Sequence, residues 1–255
     1  MRALVIGGSG LFGKKTCLTL LQDPDFEKVV ALDVAPPPAT FLRRVEPFAD
    51  RFQFVAGDIS RLEHVMNAAH TYGVDHIVNW AMILSQAPNP RLNTMVGCLG
   101  ACNVWEAARL LGIKRVVYAS SETVYGEQKD YGDRDITEQD RLLPFTGSFY
   151  ALAKCLAEVM AGQYHELYGI ESTALRPAIG YGHGGKDPKF VRWFSEIVSL
   201  PAVLATIGGA LPSFLVRDLA WRAALGQGIS AQDATLLAAE SFGLGSLVLW
   251  KRRSA

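Results

Sequence analysis

Short runs of continuous apolar, β-branched residues alternate with amphipathic stretches from the first residue to about position 182. The runs at Ala3–Ile6, Lys28–Leu32, Phe52–Ala56, His76–Trp80, Arg115–Ser120 and Ser172–Arg176 predict strands. The segments near 11–22, 61–72, 90–111 and 148–168 carry helical spacing. Strands that are apolar throughout, rather than at every second residue, are buried on both faces. Their alternation with helices predicts an α/β fold, a doubly wound parallel sheet whose ligand crevice lies at the carboxyl ends of the strands.

The pattern is broken in three places. Pro36-Pro37-Pro38 reads as a local turn after the second strand. Residues 122–147 form a long polar segment, the kind of loop that carries function. Beyond Gly182 the alternation stops, with helical patterns only at Asp187–Leu200 and Arg217–Leu225. The expected organisation is a sheet domain over 1–182, followed by a shortened substrate or lid region over 183–255 that does not fold independently.

Composition narrows the class. The 255 residues are 49% hydrophobic and 20% charged, with 25 basic and 25 acidic side chains, so the formal net charge is zero. That composition supports a packed core and argues against a nucleic-acid partner, which calls for an excess of basic charge. Cys17, Cys98, Cys102 and Cys155 form no CxxC pair, and the five histidines show no ligand spacing, so neither a disulfide framework nor a metal site is expected. The apolar start after Arg2 is cut short by Gly7, Gly8, Gly10 and Gly13, and no run approaches the length of a membrane span. The chain reads as soluble and cytoplasmic, with a small-molecule substrate and no membrane partner.

Gly7-Gly8-Ser9-Gly10-Leu11-Phe12-Gly13 follows the first strand and opens the first helix. Gly7 permits a tight turn, Gly10 lets backbone approach a pyrophosphate, and Gly13 allows close packing of helix on strand. The helix N-terminus offers free N–H groups and a favourable dipole to phosphate. Asp33 ends the second strand twenty residues after Gly13. A carboxylate there accepts hydrogen bonds from ribose hydroxyls and repels a 2′-phosphate, which selects NAD over NADP. Asp58, in Gly57-Asp58-Ile59, has two readings: a contact to the adenine amino group, or a helix-start residue beside the capping-box pattern Ser60-Arg61-Leu62-Glu63.

Tyr150 and Lys154 stand four apart in a helical pattern and so share one face. An isolated tyrosine titrates near pH 10, too high for a base at neutral pH, and a nearby ammonium lowers that value. A tyrosine so tuned removes a hydroxyl proton while hydride leaves the same carbon. Ser121 follows the fifth strand, where its hydroxyl either orients a reacting oxygen or caps a turn.

Gly7/Gly10/Gly13, Asp33, Gly57-Asp58, Ser120-Ser121-x-x-Val124-Tyr125-Gly126, Tyr150-x-x-x-Lys154 and Leu175-Arg176-Pro177 occur in this order. Together, over about residues 2–220, they resemble the extended short-chain dehydrogenases/reductases, in the UDP-glucose 4-epimerase-like NAD-dependent epimerase/dehydratase branch. The resemblance implies a Rossmann sheet, NAD as cofactor, and Ser121, Tyr150 and Lys154 as catalytic set. It implies cofactor contacts at Leu11, Phe12, Asp58, Ile59, Trp80, Ala81, Met82, Tyr150, Lys154 and Pro177, in addition to Gly7, Gly10, Gly13 and Asp33. It implies substrate contacts at Ser121, Thr123 and Tyr150. Ser85, after Ile83-Leu84, matches threonine-dehydrogenase-like members and is a further substrate candidate. The helices near 90–111 and 148–168 resemble the pair through which relatives form a homodimer.

The sequence departs from the family at defined places. Relatives carry an Asn three residues before the glycine that matches Gly100, where this chain has Gly97. Two polar anchors for a sugar diphosphate fall on Ile179 and Leu211. The expected activity is hydride transfer between NAD and a secondary alcohol of a sugar or nucleotide sugar. A dehydrogenase of a small hydroxy substrate and a non-catalytic NAD-binding regulator are the alternatives.

Overall fold

The six expected strands pair into one parallel sheet, the inner ones burying apolar side chains on both faces and the last, Glu171–Leu175, half exposed at the edge. A computed structural model describes residues 1–83, 89–113, 115–142 and 147–177. Among these, β1 (Arg2–Ile6), β2 (Lys28–Asp33), β3 (Phe52–Ala56), β4 (His76–Asn79), β5 (Arg115–Ala119) and β6 (Glu171–Leu175) lie in the order β3-β2-β1-β4-β5-β6. The chain starts in the middle, winds to one edge, then crosses back to build the other. The register sets Leu4 beside Val30 and Ile77. The order reverses between β1 and β4, and their carboxyl ends open the crevice where ligands of doubly wound sheets bind.

Alternate residues of β1 feed two cores. Leu4 and Ile6 face a cluster with Val30, Leu32, Ile77 and Val116. It is covered by α3 (Leu62–Thr71), α5 (Gly100–Leu111) and α6 (Phe149–Tyr168). Val5 faces the other side with Val29 and Ala31, under Cys17, Leu18 and Leu21 of α1 (Leu11–Gln22). Trp105 is fully buried in the first cluster, edge-on to Tyr118, with its indole N–H donating to Ser172 Oγ at 2.9 Å. That bond satisfies the one polar atom of a large buried side chain.

Four elements differ from expectation. After Pro36–Pro38 the chain forms α2 (Ala39–Val45) and a 3₁₀ turn, Glu46–Phe48. Pro38 has the extended backbone of a helix start, and Phe41 and Val45, one turn apart, are buried against the α1 side. The expected helix over 90–111 is three pieces: α4 (Pro90–Thr94), a π turn (Met95–Leu99) and α5. Gly97 and Gly100 lower helix propensity there, and a Cβ on Gly97 would lie 2.7 Å from the Ala153 Cβ of α6. The capping box at Ser60–Glu63 does not form; α3 starts from Arg61 with no side-chain cap, and Ser60 turns back to Asp58. The polar loop after β5 contains 3₁₀ turns at Glu122–Tyr125 and Gln128–Asp130. Ser85, Ile179, Leu211 and the patterns at 187–200 and 217–225 lie outside the described residues, as does the region 183–255.

Candidate active site

The glycine turn is built where side chains have no room. Gly7 sits at φ +76°, and a Cβ on it would lie 2.8 Å from Ala81 N. A Cβ on Gly13 would lie 2.1 Å from the Gly7 carbonyl oxygen, and one on Gly10 3.1 Å from the same oxygen. Gly7 and Gly8 donate to the Leu32 carbonyl, at 2.8 and 3.2 Å, so the turn is anchored to the end of β2. No side chain caps the N-terminus of α1. Asp33 reaches the same turn: Oδ2 accepts from Ser9 N at 3.0 Å and Oδ1 from Ala35 N at 3.3 Å.

The other residues expected at a cofactor are distributed unevenly. Leu11 and Phe12 are half-buried in the first turn of α1. The Phe12 ring stacks on Trp80, with centroids 4.9 Å apart, and Trp80 Nε1 donates to Thr16 Oγ1 at 2.9 Å. The Trp80 side chain is therefore engaged by α1, and its backbone is what meets Gly7. Asp58 Oδ1 accepts from both N and Oγ of Ser60. Ile59 is a core residue, 4% exposed, whose carbonyl accepts from Asn103 Nδ2. The Ala81 N–H donates to Asn79 Oδ1 at 3.0 Å. The Pro177 carbonyl accepts from Glu122 N at 3.2 Å, which sets it beside Ser121.

At the other side of the crevice, Ser121, Tyr150 and Lys154 come together. Ser148 caps α6 by accepting from Ala151 N, so the tyrosine and lysine fall on the turns nearest the sheet. The Tyr150 hydroxyl lies near enough to the Ser121 side chain for that side chain to influence its titration. The Tyr150 hydroxyl also meets Met82 Sδ at 4.0 Å. Ser121 Oγ accepts from Thr123 N at 3.3 Å, so this serine caps the 3₁₀ turn, the second of its two sequence readings. Lys154 is 7% exposed, and its Nζ donates to the Ala119 carbonyl at 2.5 Å and lies 5.4 Å from the Tyr150 ring centroid.

The electrostatics differ from the expectation of a tyrosine lowered by its lysine. Burial pushes the Tyr150 phenol above its ordinary value; the Ser121 side chain pulls the other way and Glu122 adds to the rise. Lys154 itself is pushed down to about 8 by burial. The ammonium lies over the ring face and spends a hydrogen bond on Ala119, so desolvation is the larger influence on both groups.

Sequence reasoning missed part of the cleft. Asn93 is 4% exposed and, with Asn79, Gly97, Trp105 and Tyr118, lines the cavity that holds Tyr150 and Lys154. The available signal was a polar residue one turn before Gly97 on a face that is otherwise small and apolar. Thr123 Oγ1 is a buried hydroxyl without a hydrogen-bond partner.

The model of the NAD dependent epimerase/dehydratase family matches residues 3–204. The chain belongs to this family. The UDP-glucose 4-epimerase of Mycolicibacterium smegmatis is 31% identical over 187 residues, covering 71% of this chain and 57% of that protein. The uronate dehydrogenase of Pseudomonas syringae pv. tomato is 35% identical over 139 residues, covering 54% and 47%. Among solved structures, DesIV from Streptomyces venezuelae, a dTDP-glucose 4,6-dehydratase with NAD and TYD bound, superposes with a TM-score of 0.64 at 28% identity, covering 83% of this chain and 64% of that one. The chain thus spans about half the length of the curated relatives it matches. Its sheet is the Rossmann type expected of the family. No helix among the described residues is long and apolar enough to cross a membrane.

Proposed function

We propose that this family member binds NAD and transfers hydride between it and a secondary alcohol of a sugar or nucleotide sugar. The observation that carries this reading is the approach of Tyr150 and Lys154 in one cleft, with Ser121 next to the tyrosine and a glycine turn that no side chain can fill close by. The turn fits a dinucleotide. Gly7, Gly10 and Gly13 let the turn close tightly on backbone, the uncapped α1 N-terminus supplies N–H donors for a pyrophosphate, and Asp33 supplies the acceptor for ribose hydroxyls. NAD, when bound, takes up the hydride and brings a cationic ring.

The protein's residues do the rest. Ser121 Oγ donates to the substrate oxygen and orients it. Tyr150 Oη takes the hydroxyl proton, so the phenol must first lose its own. Burial opposes that loss, and the cationic ring that bound NAD would bring works in the opposite direction. Lys154 contributes positive charge and holds a ribose hydroxyl through the N–H groups it does not give to Ala119. Thr123, with its unpartnered buried hydroxyl, is the second substrate contact. Ile179 and Leu211, where relatives hold a diphosphate, favour a smaller hydroxy substrate as a second reading.

The test is NAD reduction at 340 nm over uronates, nucleotide sugars and hydroxy amino acids, joined to mass spectrometry of retained cofactor, which detects an epimerase that releases no NADH. Tyr150→Phe is expected to lower turnover by about 10³-fold or more while NAD still binds. Unchanged turnover in that variant removes the tyrosine from the reaction. Failure of the parent with all three substrate classes, with no cofactor retained, leaves the non-catalytic regulator.

We also place the protein in the cytoplasm as a homodimer. Phe149, Leu152, Leu156 and Val159 form an exposed apolar stripe along α6, 37–54% accessible, and a second copy is the simplest cover for it. Sedimentation of Leu152→Glu/Val159→Glu is expected to show monomer where the parent shows dimer; a parent that sediments as monomer ends this proposal.

A further inference from the structure

Tyr150, Lys154 and Glu158 fall at successive turns of α6 and share one face. Each reaches the end of β5. Tyr150 neighbours Ser121, Lys154 Nζ donates to the Ala119 carbonyl, and Glu158 Oε1 accepts from Ser120 Oγ. Three consecutive residues of the strand end are therefore gripped by three turns of one helix. The first two grips belong to the reaction proposed above. The third does not.

Glu158 is held in turn by Arg176, which follows β6. The guanidinium forks onto the carboxylate, Nε to Oε1 at 2.8 Å and Nη2 to Oε2 at 2.5 Å, with side chains 8% and 19% exposed. Arg176 Nη1 donates to the Tyr125 hydroxyl and to the Glu138 carbonyl. The backbone runs parallel to this link: Ser120 N donates to the Leu175 carbonyl at 2.7 Å and Glu122 N to the Pro177 carbonyl at 3.2 Å. Ser121 is bracketed on both sides.

A buried ion pair is a weak source of stability, because desolvation offsets the attraction. What a two-point fork supplies is direction. We propose that Glu158 and Arg176 are positioning residues, a clamp that acts through Ser120 and the ends of β5 and β6 to fix Ser121 against Tyr150 and Lys154. The inference rests on the catalytic reading of those three residues. Reaction geometry is sensitive to small displacements, so a clamp of this kind changes rate more than binding.

Two variants separate the clamp from general stability. Ser120→Ala cuts its link to the strand end and leaves the ion pair intact. Glu158→Gln/Arg176→Met removes the pair without stranding a charge. ADP binding, which uses the glycine turn, Asp33 and the adenine side of the crevice, away from the end of β5, reports that each variant is folded. The readout is the ¹³Cε titration of Lys154 by NMR, assigned with Lys154→Arg. A slackened strand end admits water, so the midpoint is expected to rise by about one unit toward the ordinary lysine value. With any alcohol the parent oxidises, kcat is expected to fall about tenfold with KM for NAD within about twofold. A Lys154 midpoint within about 0.2 unit of the parent in ADP-binding variants overturns the clamp. If the parent oxidises nothing, the catalytic reading has failed separately and the titration still decides. If the double variant loses ADP binding, Ser120→Ala decides alone.

Discussion

The two sides of the crevice are made of different material. The β1–α1 turn is backbone: three glycines, an uncapped helix end, and carbonyls too close for any Cβ. The β5–α6 side is side chain: a serine beside a tyrosine and a lysine whose burial disfavours their charged forms, with a carboxylate–guanidinium pair behind them. The first side is rigid because nothing else fits. The second is held by polar groups that satisfy one another, and each of its properties depends on where its neighbours stand.

The contrast breaks most sharply at Gly13. A methyl group there would lie 2.1 Å from the Gly7 oxygen and 2.7 Å from Gly8 Cα, both backbone atoms that cannot rotate away. Gly13→Ala is expected to destabilise the fold by about 3 kcal/mol, the upper range for overpacking, and to abolish nucleotide binding. Urea unfolding and ADP titration measure the two effects. A variant that binds ADP as the parent does would show that the turn has slack.

Lys154 tests the polar side through pH. Its folded value, about 8, lies below the 10.5 of an unperturbed lysine, because burial disfavours the ammonium. Between those values the unfolded chain binds more protons than the folded one, so this residue makes stability rise with pH across the window. Cys17 acts oppositely: burial lifts its thiol to about 12, so the folded chain keeps a proton that the unfolded chain releases above about pH 9. The difference between parent and Lys154→Met cancels Cys17. Between about pH 7.5 and 9.5 the parent is expected to gain about 2 kcal/mol on the variant. A flat difference would mean the ammonium is solvated.

The same division explains what the sequence made legible. The six strands, their order of appearance, the glycine turn and Asp33 were readable because each is a local rule: continuous apolar runs, glycines at fixed offsets, a carboxylate at a strand end. Tyr150 and Lys154 were readable because helical spacing puts them on one face. The ion pair of Glu158 with Arg176 was not, since a contact across eighteen residues leaves no local trace. The depressed lysine was not, since its cause is burial rather than neighbouring sequence. Helix α2 was hidden behind three prolines, although Phe41, Val45 and Phe48 carried the spacing. The π turn at Met95–Leu99 was hidden because the packing around it, Gly97 close to Ala153, joins two helices distant in sequence.

The smallest expected effect lies at Thr123, where the polar side carries its one buried atom left unsatisfied among the described residues. A hydroxyl without a partner lowers the stability of the free protein, and replacing it with a methyl group of similar shape removes that penalty. Thr123→Val is expected to raise stability by about 1 kcal/mol in thermal unfolding. If the hydroxyl is kept for substrate, the same variant raises KM for the alcohol several-fold and leaves KM for NAD alone. A loss of stability would show that Thr123 already has a partner. A gain without any change in KM would strip it of a substrate role and leave Ser121 as the hydroxyl that meets the reacting oxygen.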